Sequence, residues 1–582
     1  MEKICKQCGG HFEVTDGDLK FYEKVSPIFA GKRFDVPSPT FCPDCRAQRR
    51  TMHRNEYNLY RRTSALSNKP LVSIYSPETN YKVFSVAEWF SDDWDAIDYG
   101  RDFDFSKPFF EQFHVLQVDV PHACMMAMDN ENSDYTTGTG FCKNCYLINS
   151  SEYCEDCWYG KLMQRCQNAV DCSYVYDCEL IYECFNSEKC YNCKYVYNSQ
   201  NTSDSWFCDN LKNCINCFLC SNLVGKEYHF GNQKFSREDY ENKVFEILSS
   251  PEKFKQAMID FDEMRKKRIY KYANVLNCEN CTGDFLLNSK NCEDCYDCSD
   301  SEDVKYVQVG VQTKDLMDCS NMYVKPELSY EVLGTIGTYN VNFCLYVFNS
   351  NNLLYCESCF GSQNCFGCVG LRNKKYFIFN KQYTQEEYEV LVPKIIEHMG
   401  GEGRAHGASA QVERESGFAS SRETEPKNSE WGEYFPCEIS PYSYNETVAN
   451  EYYPLSKEEV LKSGFKWKEI EAITAPTTGS LVEVPEDIKD VGDDICDKVL
   501  TCGKCSKRYK IMKYELDFYR KMKVPAPKKC PDCRYFARLA LRSQRKLFDR
   551  NCMKCGKDMK SVYTADRPEI VYCEECYLKE VY

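Results

Sequence analysis

The chain is 582 residues long, carries a formal net charge of −15 and contains 40 cysteines. That length predicts two to four domains, and the acidic balance excludes a nucleic acid wrapped along the whole chain, leaving only local basic patches for such a partner. The opening Met1–Gly10 lacks an apolar signal core, and no run of about 18 apolar residues follows; this predicts a cytoplasmic, reducing setting with no membrane, where CxxC pairs serve as metal ligands and not as disulfide halves.

Residues 1–62 open the chain with two CxxC pairs, Cys5 with Cys8 and Cys42 with Cys45. Four thiols on two knuckles are the tetrahedral set that a structural Zn²⁺ takes, with no open position for a reacting water. Behind the second knuckle, Arg46, Arg50 and Arg54 recur every fourth residue, so a helix would gather them into one basic stripe. They are candidate nucleic-acid contacts, since guanidinium groups bind phosphate bidentately; the plainer reading pairs them with acids of the same protein.

Residues 63–140 form an aromatic, Asp-rich cap segment with Trp89, Trp94 and the acids Asp92, Asp93, Asp95, Asp98, Asp102 and Asp104. Carboxylates beside aromatic rings suit acid/base work on a sugar, against the alternative of solvated acids on a cap.

From Cys142 to Cys220 the chain falls into sixes, with all fourteen cysteines at the first or fourth place and Asn or Asp common at the third. Such a beat predicts a repeat architecture. A flat strand would point places one and four to opposite faces. An Asn in the left-handed region between them resets the parity, so that both thiols face inward. The expectation is a β-solenoid block over 141–235, with courses stacked about 4.8 Å apart. Its cysteines read as small apolar fillers; local zinc at Cys142, Cys145, Cys154 and Cys157 and an iron–sulfur cluster at the CxxCxxC runs are the alternatives.

A helical insert over 236–277 follows, then a second solenoid block with a terminal helix over 278–400. Cys208, Cys217, Cys220, Tyr228, Asn232 and Tyr240 recur 148 residues later as Cys356, Cys365, Cys368, Tyr376, Asn380 and Tyr388. Ser236 and Thr384 each open a helix with capping-box character and would cover the open ends of the stacks. Residues 401–428 are rich in Gly, Ser and Glu and read as a flexible linker; 429–495 is a mixed connector with a helix near Ser456–Ser463.

The end of the chain repeats its beginning. In 496–550, Cys502, Cys505, Cys530 and Cys533 bracket a segment in which Leu516, Phe518, Tyr519 and Lys521 match Leu19, Phe21, Tyr22 and Lys24, and Arg534, Arg538 and Arg542 match the first arginine stripe. The first copy carries nine extra residues around Ile28–Arg33. A third set, Cys552, Cys555, Cys573 and Cys576, occupies 551–582, with Arg567–Tyr572 read as a hairpin arm. Twelve cysteines thus predict three structural zinc ions.

The CxxCG knuckle, Phe-Tyr pair and Pro-x-x-Cys-Pro-x-Cys-Arg of both ends resemble a zinc-ribbon domain family of bacteria, except that Ser506 replaces the knuckle glycine in the second copy. The resemblance implies the ligands Cys5, Cys8, Cys42, Cys45, Cys502, Cys505, Cys530 and Cys533. The phrases Asp98–Phe105, Asn380–Tyr383 and Tyr444–Thr447 are similar to those of long Cys-rich proteins of candidate-phyla bacteria. Some of those carry a CaiB/BaiF label, whose large α/β fold nothing in these residues resembles.

No HExxH, P-loop, GxSxG or GxGxxG pattern accompanies the seven histidines. The fold class expected is mainly β with some α, zinc ribbons flanking a Cys-rich hexad-repeat β-solenoid. The function expected is a non-enzymatic zinc-binding scaffold or adaptor that engages nucleic acid or a protein partner, with no small-molecule substrate. The alternative is a β-solenoid enzyme acting on polysaccharide.

Overall fold

The computed structural model describes residues 1–161, 170, 181–292, 295–299, 301, 308–311, 317, 320–322, 327–331, 333–400, 429–469 and 483–581. The expected linker 401–428 and the beat positions Cys166, Cys172 and Cys178 lie outside them. The chain divides into two compact units, Met1–Cys124 with Val275–Lys468, and Met125–Asn274 with Glu469–Tyr582. Each unit therefore joins the ribbon segment at one end of the chain to the strand stack remote from it in sequence.

The strands are short and mostly parallel, and they pair with residues twelve further on. In one unit a single column runs Tyr146, Trp158, Val170, Tyr182, Lys194, Trp206, Phe218, Phe230. In the other, Tyr339, Asn351, Gln363 and Lys375 line up in the same way. Twelve residues, two of the expected hexads, make one course.

The turn chemistry is finer than the beat suggested. Positive φ occurs at every third residue: Phe141, Asn144, Leu147, Ser150, Tyr153, Asp156 and Tyr159 all lie between 52° and 61°. The expected left-handed Asn at the third place is present, with Cys142 and Cys145 on either side of Asn144 both buried. The sixth place, occupied by large side chains such as Tyr153, Phe207 and Phe343, is left-handed as well. The operative unit is thus a triplet. A bulky residue in this region costs on the order of 1–2 kcal/mol, offset by what the stack gains along its axis.

Three kinds of ladder supply that gain. Asn side chains bond to their copies one course on, as from Asn144 Nδ2 to Asp156 Oδ1 (3.0 Å), Asn210 to Asn222 (2.7 Å) and Asn340 to Asn352 (3.0 Å). Rings stack along the axis, Tyr195 on Phe207 and Phe343 on Tyr355, each at 4.9 Å. Backbone amides repeat the pattern, for example Leu345 N to Cys356 O at 2.8 Å. The second stack breaks period twice. Val275 pairs with Leu286 and Ser320 with Leu333, one course a residue short and one a residue long; the long course lies between Cys292 and Cys344 and puts their hexad frames out of phase.

Both stacks end alike, in antiparallel hairpins joining Glu227–Phe230 to Gln233–Lys234 and Lys375–Ile378 to Lys381–Gln382. The helices Arg237–Leu248 and Gln385–Met399 follow, capped by Ser236 and Thr384 as expected. Tyr240 meets Tyr228, and Tyr388 meets Tyr376, at 5.7 Å in each case. Asn232 and Asn380 each bond both ways to the backbone eleven residues earlier, at Ser221 and Val369.

The Asp-rich cap packs on the end of its stack. Gly100 is required there, since a Cβ would come within 2.5 Å of the Asn380 carbonyl oxygen. Asp102 accepts from Lys381 Nζ (2.6 Å) and from Tyr383 OH (2.9 Å). The sequence phrases 98–105 and 380–383 are therefore two sides of one contact. Among the described residues no helix is long and apolar enough to cross a membrane.

Candidate metal centres

Each ribbon begins with a tight knuckle. Cys5 N donates to Gly10 O at 2.8 Å and Gly9 N to Cys5 O at 2.9 Å, with Gly9 at φ 71°. Ser506 and Gly556 adopt the same turn at φ 62° and 75°, so the serine replaces the glycine without changing the geometry. The second pair of the first two quartets sits at a helix start: Cys42 and Cys530 are the N-caps of Pro43–Thr51 and Pro531–Leu539. A proline in the first turn needs no amide there, and the positive helix end favours a thiolate.

The knuckles bring together three quartets, Cys5 with Cys8, Cys42 and Cys45; Cys502 with Cys505, Cys530 and Cys533; and Cys552 with Cys555, Cys573 and Cys576, the sulfurs of each all within 4.8 Å of one another. Cys8 and Cys42 are 3.8 Å apart, Cys505 and Cys530 3.7 Å, Cys555 and Cys573 3.8 Å. A disulfide needs about 2.05 Å. A tetrahedron with metal–sulfur bonds of about 2.3 Å has edges of about 3.8 Å. One edge of each quartet thus matches that of a filled tetrathiolate site, and the remaining edges are within 4.8 Å.

In each quartet one thiol is drawn down while a partner is pushed up: neighbouring thiols and burial raise Cys45, and burial and neighbouring thiols hold Cys530 at about 11 and Cys576 at about 12. Burial pushes the Cys502 thiol up, but amides at Cys530, Cys505 and Lys504 outweigh it and hold it at about 6. Cys552 is likewise held at about 6 against burial, by amides including that of Cys573, whose N–H lies 3.2 Å from its sulfur. The neighbouring Cys45 thiol is the largest influence drawing Cys42 down to about 5. In each quartet one ligand, Cys8, Cys505 or Cys555, is exposed.

The interior cysteines behave otherwise. Their S–H groups point at carbonyls two residues back and nine residues on: Cys193 to Tyr191 O and Thr202 O (both 3.4 Å), Cys356 to Leu354 O (3.4 Å) and Cys365 O (3.5 Å). Ser187 and Ser350 occupy equivalent places and make the same two bonds. Among the described residues no interior group reaches ligand geometry, the set Cys142, Cys145, Cys154 and Cys157 included. The small apolar filler is the reading that fits. Because serine already makes both bonds at equivalent places, Cys356→Ser should cost on the order of 1 kcal/mol and leave the metal count of the purified protein unchanged, as measured by elemental analysis.

The arginine stripe is not on the surface. Arg46, Arg50, Arg54, Arg534 and Arg538 are all buried, and Arg542 is half-buried. The helices Pro43–Thr51 and Pro531–Leu539 carry the first two arginines of each set, Arg54 and Arg542 lying beyond their ends, and acids of the same unit receive them. Arg49 Nη2 lies 3.2 Å and Arg46 Nε 3.7 Å from Glu331; Arg538 Nη1 lies 2.9 Å from Glu183 Oε2. Arg534 stacks over Tyr159 and lies 3.7 Å from Glu515. Of the two readings of the stripe, pairing with acids of the same protein is the one these contacts follow.

Glu183 and Glu331 went unnoticed in the sequence, though they are 148 residues apart, in register with the cysteine duplication. Both have positive φ, 48° and 41°. Beside them Tyr182 meets Tyr519 edge-on at 5.7 Å, and Tyr330 meets Tyr22 edge-on at 4.9 Å. Tyr22 and Tyr519 are themselves matched residues of the two ribbons. The same ribbon face docks on the same stack face in both units.

Two further expectations change. The nine-residue insertion is a hairpin, Ile28–Phe29 with Lys32–Arg33, whose Phe29 and Lys32 reach Tyr388 and Glu397 of the closing helix. The strand Ile570–Tyr572 is no hairpin arm; it pairs in parallel with Ile269–Lys271, which follows the helix Pro251–Lys267, while its own ribbon closes with Phe548–Asn551 and Asp558–Ser561. The acids proposed for sugar chemistry are dispersed as surface partners, Asp95 with Lys374 and Asp102 with Lys381, while Asp92 and Asp93 are exposed.

No family model matches the chain, and no curated protein matches it. Among solved structures it is similar to a protein of Desulfovibrio desulfuricans G20 assigned as an acetyltransferase, at 10% identity over 48% of this chain and 81% of that one, with a TM-score of 0.12. A score so low carries no argument about fold or activity.

Proposed function

We propose that this chain is a zinc-stapled, non-enzymatic scaffold: two β-solenoids of twelve-residue coils, each clamped by a zinc-ribbon module. Zn²⁺ is the ion that a closed tetrathiolate of this size suits best. The observation that carries the reading is the repeated docking of the matched tyrosines, Tyr22 on Tyr330 and Tyr519 on Tyr182, beside the acids Glu331 and Glu183, which are reached by arginines one position apart in the two ribbons, Arg49 and Arg538. A ribbon whose arginines serve its own stack holds that stack in shape and leaves the outer faces for a protein partner.

The test separates scaffold from polyanion binder. Fluorescence anisotropy with labelled RNA and DNA should show no binding by the intact chain at physiological salt, and Arg538→Met should lower thermal stability without altering that result. Salt-sensitive binding lost in Arg542→Ala would instead favour a nucleic-acid adaptor, since each phosphate contact contributes to the salt slope.

A further inference from the structure

Asp209 and Glu357 hold the same place in the two stacks, 148 residues apart, yet they are neutralised differently. Asp209 is fully buried between Arg265 and Arg268, each at 3.1 Å, and accepts from Asn198 Nδ2 at 2.9 Å. Glu357 is just 4% exposed and faces the cap segment. Gln117 Nε2 donates to its Oε2 at 2.7 Å, and the one basic group at ion-pair distance among the described residues is His122, with Nδ1 3.9 Å from Oε1.

His122 is itself buried, and its Nε2–H donates to Gln117 O at 2.7 Å. Its Nδ1 therefore faces Glu357 and the Tyr75 hydroxyl, the latter at 3.4 Å. Tyr75, Tyr81, Tyr346 and Tyr442 surround the pair, with Cys124 beside Tyr75 and the Arg54–Glu56 ion pair beyond Tyr346. A carboxylate in such a site is tolerated when a proton or a cation neutralises it. Either a carboxylic acid beside neutral imidazole or a carboxylate beside imidazolium satisfies that condition, and both contain one proton.

We propose that Glu357 and His122 act together as a one-proton latch that fastens the cap, residues 63–124, to its stack and keeps that docking constant across weakly acidic pH. Burial pushes Glu357 up to about 7 and His122 down to about 4. Taken alone, the raised carboxyl contributes docking strength below its free value near about 4.3 and loses it as pH rises through about 7. The lowered imidazole alone contributes above its free value near about 6.5 and loses it as pH falls through about 4. Between roughly pH 4.3 and 6.5 the docked and undocked pairs each hold one proton, so the two dependences cancel.

The experiment is hydrogen exchange on the full, metal-loaded chain between about pH 5.5 and 6.5, reading protection of residues 109–124 after correction for intrinsic rates, with metal content checked at each pH. The parent chain should vary by less than about threefold. As pH rises over that unit, Glu357→Gln should gain about five- to tenfold in protection and His122→Gln should lose about five- to tenfold, one proton being worth at most a factor of about ten per pH unit. The double variant should be flat again. Single variants that both follow the parent profile, or a steep parent profile, would overturn the latch. Should one single variant fail to fold, the sign of the slope in the other decides.

Discussion

Replacing Cys530 with alanine should yield a chain that binds two metal ions where the parent binds three, read by elemental analysis of purified protein. The variant leaves a three-thiol set, Cys502, Cys505 and Cys533, in place of the closed quartet. A structural zinc is worth about 10–16 kcal/mol to a module of this kind, as much as the roughly 5–15 kcal/mol that holds a whole domain. The ribbon should therefore unfold outright, and protease should cleave within 496–550. The loss should spread to the stack it clamps. Phe518 and Tyr519 are buried against Trp158 and Tyr182, and Glu183 would lose Arg538. A variant that kept three metals, or lost one without exposing the ribbon, would remove the staple from the account.

A second large effect is expected at Glu331. Its side chain is 1% exposed and faces two buried guanidinium groups. Glu331→Gln keeps the shape and removes the charge. Taking one partner from a buried ion pair costs up to about 3–5 kcal/mol, and here the lower end is expected because Glu433 Oε2 still pairs with Arg49 Nη1 at 2.8 Å. The guanidinium of Arg49 is held above its ordinary range by Glu331 and Glu433 against the cost of its burial, so it will not shed its proton to escape. The measurable result is a lower denaturant midpoint for the first unit, with the metal count still three. A double-mutant cycle with Arg49→Met should recover part of the loss, since it removes the buried guanidinium nearest to position 331. Equal losses in the single and double variants would show that Glu331 acts through packing alone.

Much of this organisation was legible in the residues. The quartets could be read because metal coordination is local: two knuckles suffice, and each knuckle is four residues long. The stacks could be read because a strict repeat prints its period on the chain. Cys142 and Cys145 on either side of Asn144 announce the parity reset, and the capping residues Ser236 and Thr384 announce the helices that close each end. The triplet escaped because the sixth place often holds Tyr, Leu or Phe, as at Leu147, Tyr153 and Phe207, residues whose ordinary preferences lie elsewhere; stacking along the axis overrides them there.

What tertiary structure alone decided is who pairs with whom. Chain order suggested ribbons flanking a central repeat, each next to its neighbour in sequence. In the fold the first ribbon belongs with the second stack and the last ribbons with the first stack. Nothing in an arginine at every fourth residue says whether it will meet phosphate, water or a carboxylate hundreds of residues away. Local chemistry dictates a helix, a knuckle or a turn. The burial of Arg49 and Arg538 depends on where Glu331 and Glu183 arrive in space, and that is set by the summed packing of long-range contacts.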